Sequence, residues 1–281
     1  MQLAQAAREI IFTDQDFIRI RELLRGWVGI ALNDSKRQLV YNRLTKRIRQ
    51  LGLHSFTHYL DRVEQDLGEQ EQFINALTTN LTSFFREPHH FPILARHLQQ
   101  TRKGQSIHIW CAASSTGEEP YSIAMTVVEA LGERDARRVQ ILASDLDTQV
   151  LDKARSGIYR LDQVAKLNPE RLRRFFLRGN GRHHGMVRIK PALQALISFQ
   201  QINLLDAHWP VEGSLDAIFC RNVMIYFDKP TQLGIIERFM PLLKADGLMF
   251  AGHSESFSHA GHLIRLSDKN VYRQTSCKGG A

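Results

Sequence analysis

The chain has 281 residues, 43% of them hydrophobic, and a formal net charge of +8 at pH 7. This composition is typical of a globular protein of one or two domains. No apolar run of about 18 residues and no secretory h-region is visible, so neither a membrane span nor a signal peptide is expected. Cys111, Cys220 and Cys277 are odd in number and far apart, which fits reduced cytoplasmic thiols better than disulfides or a zinc site. The positive charge favours an acidic partner: nucleic acid, anionic lipid or a protein surface.

Residues 1–80 are predicted to form a helical domain. Thr13 with Asp16 resembles a helix cap, and apolar residues follow at helical spacing. A second helix, about 35–51, has an apolar arc and a basic face, with no acidic residue. A charged face is usually just solvated, but this many cations without a counter-charge favour docking on an acidic partner. The cations of this face are Lys36, Arg43, Lys46, Arg47 and Arg49.

The stretch 78–92 breaks the helical pattern, because Pro88 and Pro92 disfavour a continuous helix. We interpret 81–96 as a linker that lines a ligand cleft between the helical domain and residues 97–281. His89 and His90 are adjacent and have no carboxylate or cysteine at metal-ligand spacing, so no metal site is predicted.

The most informative stretch runs from Ile107 to Leu131. A buried strand (107–111) is followed by a loop of small residues that ends at Gly117, and then by a helix that begins with two glutamates. This is the opening unit of a nucleotide-type α/β sheet. A dinucleotide site requires several glycines, whereas one glycine and two carboxylates suit a positively charged ligand without phosphate, such as S-adenosylmethionine. An ordinary turn with a solvated acidic cap is the equally good alternative for this loop taken alone.

Polar residues recur immediately after the later strands. Asp145 ends a second strand (139–144), where a carboxylate can accept hydrogen bonds from ribose hydroxyls, while Asp147 is better placed as a helix cap. Further strands are predicted at 197–202, 215–220 and 248–251, with a helix over 229–243 and a last edge strand at 271–272. Residues 160–197 interrupt the alternation as a small inserted subdomain, in which residues 169–178 continue as one basic helix and His183 and His184 lie in a glycine-rich turn. In a parallel sheet the polar strand ends share one edge, so they are expected to converge on one cleft: Glu118, Glu119, Asp145, Asn203, Arg221 and Asn222.

Several longer stretches together resemble the CheR family of chemotaxis receptor methyltransferases. They are TNLTSFFRE (79–87), ASSTGEEPYSIA (113–124), ASDLD (143–147), NLLD (203–206), FCRNVMIYFD (219–228) and GLMFAGHSES (247–256). The resemblance implies an α/β, Rossmann-like methyltransferase domain with a small inserted β-subdomain, preceded by an all-α domain. It also implies methyl transfer from S-adenosylmethionine to glutamate side chains of chemoreceptors, with S-adenosylhomocysteine as the other product.

The resemblance carries residue roles onto matching positions. Arg86 and Tyr226 would lie closest to the chemistry. The basic helix would dock on the acidic cytoplasmic helices of methyl-accepting receptors, and the turn Gly179–Gly185 resembles the form that binds a receptor's C-terminal peptide in some members. A cytoplasmic monomer without membrane insertion is expected. The implied cofactor contacts are Asn80, Thr82, Arg86, Glu118, Asp145, Asn203, Leu204, Arg221 and Asn222.

Two other functions are compatible with parts of the sequence. The charge of +8 would suit a nucleic-acid methyltransferase, which predicts steeply salt-dependent binding, but an aromatic and basic stacking platform is not evident, so no nucleic-acid partner is expected. A non-enzymatic relative that binds the cofactor as a signalling module is the second alternative, and the full set of matching motif residues argues against it.

Overall fold

The computed structural model describes residues 10–100 and 104–275; Cys277 lies outside them. The chain divides into two compact units, residues 1–79 and 80–281. Among the described helices, none combines the length and apolar character needed to cross a membrane.

The first unit is helical, as predicted. At its start Thr13 and Asp16 form the expected capping box: Thr13 Oγ1 accepts from the Asp16 N–H at 3.1 Å, and Asp16 Oδ2 accepts from the Thr13 N–H at 2.9 Å. The apolar residues of the second helix, among them Val40, Leu44 and Ile48, are fully buried. The helices are α1 Asp14–Val28, α2 Arg37–Gln50, α3 Phe56–Gln65 and α4 Leu67–Leu77.

The second unit is an α/β domain with two sheets. Its strands are β1 Ile107–Cys111, β2 Val139–Asp145, β3 Ile158–Arg160, β4 Phe176–Arg178, β5 Met186–Ile189, β6 Ile197–Gln201, β7 Leu215–Phe219, β8 Leu243–Phe250, β9 Ile264–Asp268 and β10 Val271–Gln274. Its helices are α5 His90–Gln100, α6 Glu118–Ala136, α7 Thr148–Ser156, α8 Leu161–Val164, α9 Pro169–Phe175, α10 Pro191–Gln194 and α11 Lys229–Phe239.

The large sheet has the order β6-β2-β1-β7-β8-β10-β9, and the pairs from β6 to β8 are parallel. Alternate residues of β1 face opposite sides, as the twofold period of a strand requires. Ile109 and Cys111 belong to one hydrophobic cluster, whereas Trp110 belongs to the other. Both faces of the sheet are therefore covered, which confirms the predicted Rossmann-like class.

Three sequence predictions about this unit were wrong in detail. α11 ends at Phe239, and β8 begins at Leu243, because residues 243–247 join the sheet with an irregular register. The strand at 271–272 is not an edge, since β10 pairs with β8 and with β9, which forms the edge instead. The predicted basic helix after Pro169 ends at Phe175, and Phe176–Arg178 form β4.

The inserted subdomain is present as a three-stranded antiparallel sheet of order β3-β5-β4. The glycine-rich turn 179–185 joins β4 to β5 and contains a short 3-10 turn at Gly181–His183. β3 and β4 are the two edges, and Leu177 on β4 has 48% of its surface exposed.

Candidate active site

The loop between β1 and α6 is fixed by contacts on three sides. The Ser114 N–H donates to Ser144 O on β2 at 2.8 Å, and the Ser115 N–H donates to Asp145 Oδ2 at 2.8 Å. Gly117 has a φ of +97°, and a Cβ at this position would lie 2.7 Å from Tyr159 Oη and 2.8 Å from Ala154 Cβ. The single glycine of the loop thus permits close packing and a left-handed backbone, which differs from the phosphate-cradling role of a glycine-rich loop.

The two glutamates that open α6 have different environments. The Glu119 carboxylate forms a buried ion pair with Arg221 Nη1, and the Cys111 thiol donates to it at 3.4 Å. Glu118 is 2% exposed and accepts from neutral donors, Thr116 Oγ1 at 2.6 Å and Gln163 Nε2 at 3.5 Å. Glu119 is therefore paired with a cation inside the protein, whereas Glu118 accepts hydrogen bonds from neutral groups.

Asp145 lies at the tip of β2 as predicted. Its carboxylate accepts from the Ser115 N–H at 2.8 Å and from the Asp147 N–H at 3.1 Å. Burial raises the pKa of Asp145 to about 6 even though these hydrogen bonds favour the ionised form. The expected helix cap is confirmed, because Asp147 Oδ1 accepts from the N–H groups of Gln149 and Val150.

The segment 80–87 is attached to this edge of the sheet. Asn80 Nδ2 donates to Asp147 Oδ2 at 2.9 Å, and Ser115 Oγ donates to Asn80 O at 3.0 Å. Thr82 is half-buried in the same segment. The half-buried Arg86 directs Nη1 to Leu81 O at 2.8 Å. Asn80 thus holds the segment against the two loops that follow β1 and β2.

Arg221, at the tip of β7, is almost fully buried. Its Nη1 pairs with Glu119, and its Nη2 donates to Arg86 O at 2.6 Å and lies 3.4 Å from Glu87 Oε2. Burial opposes its charge, but the two carboxylates raise the pKa of Arg221 above its usual value. The guanidinium therefore joins segment 80–87 to α6 and β7.

Glu87 has a central place at this edge of the sheet that the sequence did not indicate. Its Oε1 accepts from Asn222 Nδ2 at 3.3 Å and from the N–H and Nδ1 of His253, at 3.1 and 3.2 Å. Burial by itself raises the pKa of Glu87, but the Arg221 charge and these hydrogen bonds outweigh it and lower the pKa to about 2. Glu87 follows Arg86 in a matching stretch, but no spacing rule indicates its contacts with residues so distant in sequence.

Backbone strain is concentrated in these loops. Six non-glycine residues of the described chain have positive φ, and four of them lie here: Phe85, Glu87, Ser115 and Asn222, with φ between 47° and 59°. Such conformations cost on the order of 1–3 kcal/mol each and persist only where the surroundings enforce them. This concentration of strain supports the choice of this edge of the sheet as the candidate functional site.

The remaining predicted residues lie on neighbouring loops. Asn203 Oδ1 accepts from the Leu205 N–H at 3.0 Å after β6, and Leu204 is buried. Tyr226 is half-buried in the 3-10 turn Met224–Tyr226 after β7. Because β6, β2, β1 and β7 are adjacent and parallel, the predicted convergence of their polar ends on one edge is confirmed.

Near this edge, Glu87, His89 and His90 each place one potential ligand atom within 4.8 Å of the others. The expectation that no carboxylate accompanies the two histidines was therefore wrong. The Glu87 carboxylate, however, is paired with Arg221, whose charge opposes a bound cation. His90 is fully buried against the Phe250 ring, at 5.4 Å between centroids, and burial lowers its pKa to about 3, so it is a neutral core residue.

The basic face of α2 belongs to the first unit, and some of its cations have internal partners. Arg47 makes a two-pronged ion pair with the buried Glu69, at 2.9 and 2.6 Å. Arg43 Nη1 donates to three carbonyls at the end of α4, the shortest being Thr78 O at 2.6 Å. The inference that these cations lack a counter-charge was wrong for Arg47. The partner comes from α4, so the composition of α2 could not indicate it.

The other cations of this face are exposed. Lys36, Lys46 and Arg49 all have exposed side chains. An open groove of about 540 Å³ runs along α2, and it is lined by Tyr41, Asn42, Thr45, Lys46, Arg49 and Gln50. A groove with two cations and several amide and hydroxyl groups suits an acidic, polar partner.

Comparisons with known proteins agree across both units. The family model "CheR methyltransferase, SAM binding domain" matches residues 80–272, and "CheR methyltransferase, all-alpha domain" matches residues 15–78. Chemotaxis protein methyltransferase 2 of Pseudomonas aeruginosa is 54% identical over 269 residues, with 94% of this chain and 95% of the relative covered. The chemotaxis protein methyltransferases of Klebsiella aerogenes and Escherichia coli are 54% and 52% identical, with 98% and 96% of this chain and 95% and 94% of those relatives covered.

Proposed function

We propose that this chain, which belongs to the CheR methyltransferase family, transfers a methyl group from S-adenosylmethionine to glutamate side chains of chemoreceptors. The chain is an S-adenosylmethionine-dependent methyltransferase. Glutamate methyl esters and S-adenosylhomocysteine are the products. The receptor's cytoplasmic helices are the proposed acceptor, which would place the enzyme in the cytoplasm.

One juxtaposition carries the choice of cofactor. Asp145 at the tip of β2 offers a carboxylate to ribose hydroxyls, while Glu118 beyond β1 holds a buried negative charge with neutral partners. The loop between them has one glycine, used for packing against Tyr159 and Ala154. These residues fit a nucleoside with a positively charged amino-acid tail better than a pyrophosphate. Asn80, Thr82, Asn203, Leu204, Arg221 and Asn222 complete the proposed cofactor-binding set.

The chain's residues have little acid–base chemistry to perform. When bound, S-adenosylmethionine supplies a methyl group already activated by the sulfonium, and the acceptor glutamate is already an anion at pH 7. The acceptor's carboxylate oxygen would form its bond to the methyl carbon as the carbon–sulfur bond of the bound cofactor broke, so no residue of the chain would have to move a proton. The enzyme's contribution is then alignment and exclusion of water. The Arg221–Glu87–Glu119 network supports this role by fixing three loops in strained conformations.

Arg86 and Tyr226 are the proposed residues nearest the transfer. Arg86 is half-buried, and we assign it the orientation of a carboxylate of cofactor or acceptor; Tyr226 is assigned a hydrogen bond near the transferring group. Arg86→Ala and Tyr226→Phe are both expected to lower single-turnover methylation rates. Full turnover in both variants would end these assignments, leaving Arg86 as a tether for Leu81 O.

Receptor docking is assigned to the basic face of α2. Lys36, Lys46 and Arg49 supply free charge, and the last two line the groove. Arg43 and Arg47 contribute positive potential while held by α4. A receptor's C-terminal peptide could add a strand to the free edge of β4, in the way extended peptides add to exposed sheet edges.

The test of the proposed function is a methylation assay. The protein is mixed with receptor-containing membranes and S-adenosylmethionine labelled on its methyl group. Label should enter the receptor and leave as methanol in mild base, because carboxyl methyl esters hydrolyse there. Base-stable label would indicate a different acceptor group. Absence of label with intact cofactor binding, repeated with receptors carrying and lacking the C-terminal peptide, would favour a non-enzymatic signalling role.

A further inference from the structure

The loop that follows β6 is held by two side chains outside the predicted site. Arg238 on α11 directs Nη2 to Leu204 O at 2.6 Å and Nη1 to Asp206 O. Trp209 donates its indole Nε1–H to Asn203 O at 3.2 Å. Three carbonyls of the segment 203–206 are therefore bound by side chains, and Asn203 O also accepts from the Asp206 N–H at 3.0 Å in a backbone turn.

The two side chains also hold each other. The Arg238 guanidinium carbon lies 4.4 Å from the Trp209 ring centroid, and Arg238 Nε donates to Gly234 O at 3.2 Å, one turn back on its own helix. Trp209 packs in turn against Trp110 and Phe239, at 5.1 and 5.2 Å between ring centroids. A planar guanidinium that stacks on an aromatic ring and reaches two carbonyls at once has its orientation fixed. The loop is thus anchored to the core through a rigid pair.

The position of this loop gives the anchoring a function. β6 lies beside β2, on the side away from β1. In a sheet of this kind, the ribose binds at the acidic tip of the second strand, here Asp145. For this inference, the base attached to that ribose is placed toward the segment after β6, the strand next to β2. Asn203 and Leu204 lie there, and both belong to the proposed cofactor-binding set.

We propose that Arg238 and Trp209 are positioning residues for the nucleobase end of the cofactor site. The inference rests on the proposed function, because it assumes that Asn203 and Leu204 meet S-adenosylmethionine. Neither Arg238 nor Trp209 needs to touch the ligand. They keep the backbone of 203–206 in one conformation, so that binding does not have to order it.

A positioning role predicts a specific kinetic pattern. Loss of the Arg238 contacts weakens cofactor and product binding by at least about tenfold, which is the effect of about 1.4 kcal/mol of lost preorganisation. The KM for S-adenosylmethionine rises accordingly. The kcat at saturating cofactor and the KM for receptor change little, because the acceptor side and the Arg86–Tyr226 region are not involved.

The test compares Arg238→Gln with Arg273→Gln. Arg273 is a matched control, since its Nη1 also donates to a backbone carbonyl, Asp246 O at 2.8 Å, but it is not in contact with the proposed cofactor loop. Dissociation constants for S-adenosylhomocysteine are measured by calorimetry, with thermal melting to verify folding. Arg238→Gln should bind at least about tenfold more weakly than wild type, and Arg273→Gln equally well. Trp209→Phe removes one hydrogen bond, so its affinity for S-adenosylhomocysteine should lie between those of the two arginine variants.

Several outcomes would overturn the proposal. A folded Arg238→Gln with wild-type affinity for S-adenosylhomocysteine would do so, as would equal increases in KM for cofactor and receptor. If Arg238→Gln does not fold, the affinity for S-adenosylhomocysteine is measured in Arg238→Lys and Trp209→Phe instead. Wild-type affinity in both variants would reject the positioning role. Wild-type protein that fails to bind S-adenosylhomocysteine would instead reject the proposed function, and this inference with it.

Discussion

Asp145 should make cofactor binding sensitive to pH. Its pKa is raised to about 6 by burial, and a protonated carboxyl cannot accept hydrogen bonds from both ribose hydroxyls on the same oxygens. The competent, ionised fraction is nearly complete at pH 7.5 and about one tenth at pH 5. Affinity for S-adenosylhomocysteine should therefore fall about tenfold between these values, as measured by calorimetry. Asp145→Asn should bind weakly with a flat profile over the same range; an equally steep decline in that variant would assign the pH effect to another group.

Glu87 should contribute to stability through its ionised form. Its folded pKa of about 2 lies below the ordinary value of 4.5, so the contribution is present above pH 4.5 and is lost as pH falls toward 2. The shift corresponds to about 3 kcal/mol at most. Glu87→Gln should lower the free energy of unfolding in urea by a sizeable part of this at pH 7. The difference from wild type should narrow below pH 4.5; a difference independent of pH would mean that packing, rather than charge, is lost.

Residue identity alone could not reveal the Glu87 network. Asp145 was predictable because it comes at the end of a strand with a clear apolar pattern, and Glu118 because it opens the helix that follows such a strand and its short loop. Glu87, Arg221 and His253 meet only after β7 and β8 are paired and segment 80–87 has folded onto them. The positive φ values at Phe85 and Glu87 are likewise imposed by tertiary contacts, since neither residue type favours a left-handed backbone, whereas Asn222 is of a type that adopts one more readily.

At the scale of elements, the periodicity of the sequence predicted most helices and the central parallel strands. The periodicity failed where tertiary contacts, rather than the local apolar pattern, determine the structure of a segment. β9 carries exposed and charged residues such as Arg265 and Asp268, so it lacked a strand signal, although pairing with β10 makes it the sheet edge. The segment 176–178 continues a helical-looking run but pairs with β5. In α2 the predicted apolar and basic faces were correct, and only the partners that α4 provides for its arginines could not be predicted.

Substitutions in helix α2 should therefore affect either receptor docking or folding stability, depending on which cation is changed. Lys46→Glu with Arg49→Glu changes exposed charges in the groove, so the KM for receptor should rise about tenfold or more, with unfolding free energy and cofactor affinity unchanged. Arg47→Glu places a carboxylate against the buried Glu69 and should cost about 3 kcal/mol of stability. Urea unfolding measures the stability of each variant, and receptor methylation at saturating S-adenosylmethionine measures the KM for receptor. Loss of stability in the Lys46/Arg49 double variant would instead make that face structural.

For the whole molecule, a net charge of +8 has to be reconciled with an acceptor that is a protein. The proposed active site does not account for this charge, because the buried cation there, Arg221, lies between two carboxylates, Glu87 and Glu119. The unbalanced cations include the exposed face of α2, in the first unit. The charge is thus best explained by recognition of a large acidic partner, whose attraction is long-ranged and screened by salt.

Receptor recognition and cofactor binding should then respond differently to ionic strength. Raising salt from 0.05 to 0.5 M shortens the Debye length from well above 10 Å to a few ångströms. The KM for receptor should increase several-fold while the dissociation constant for S-adenosylhomocysteine stays nearly constant, because its proposed partners Glu118 and Asp145 are largely enclosed. The Lys46→Glu, Arg49→Glu double variant should lose most of this salt dependence. Duplex DNA added at low salt serves as the competitor. Little inhibition of receptor methylation is expected if an acidic protein helix is the partner. Strong inhibition would instead favour a nucleic-acid acceptor and contradict the assignment of α2 to receptors.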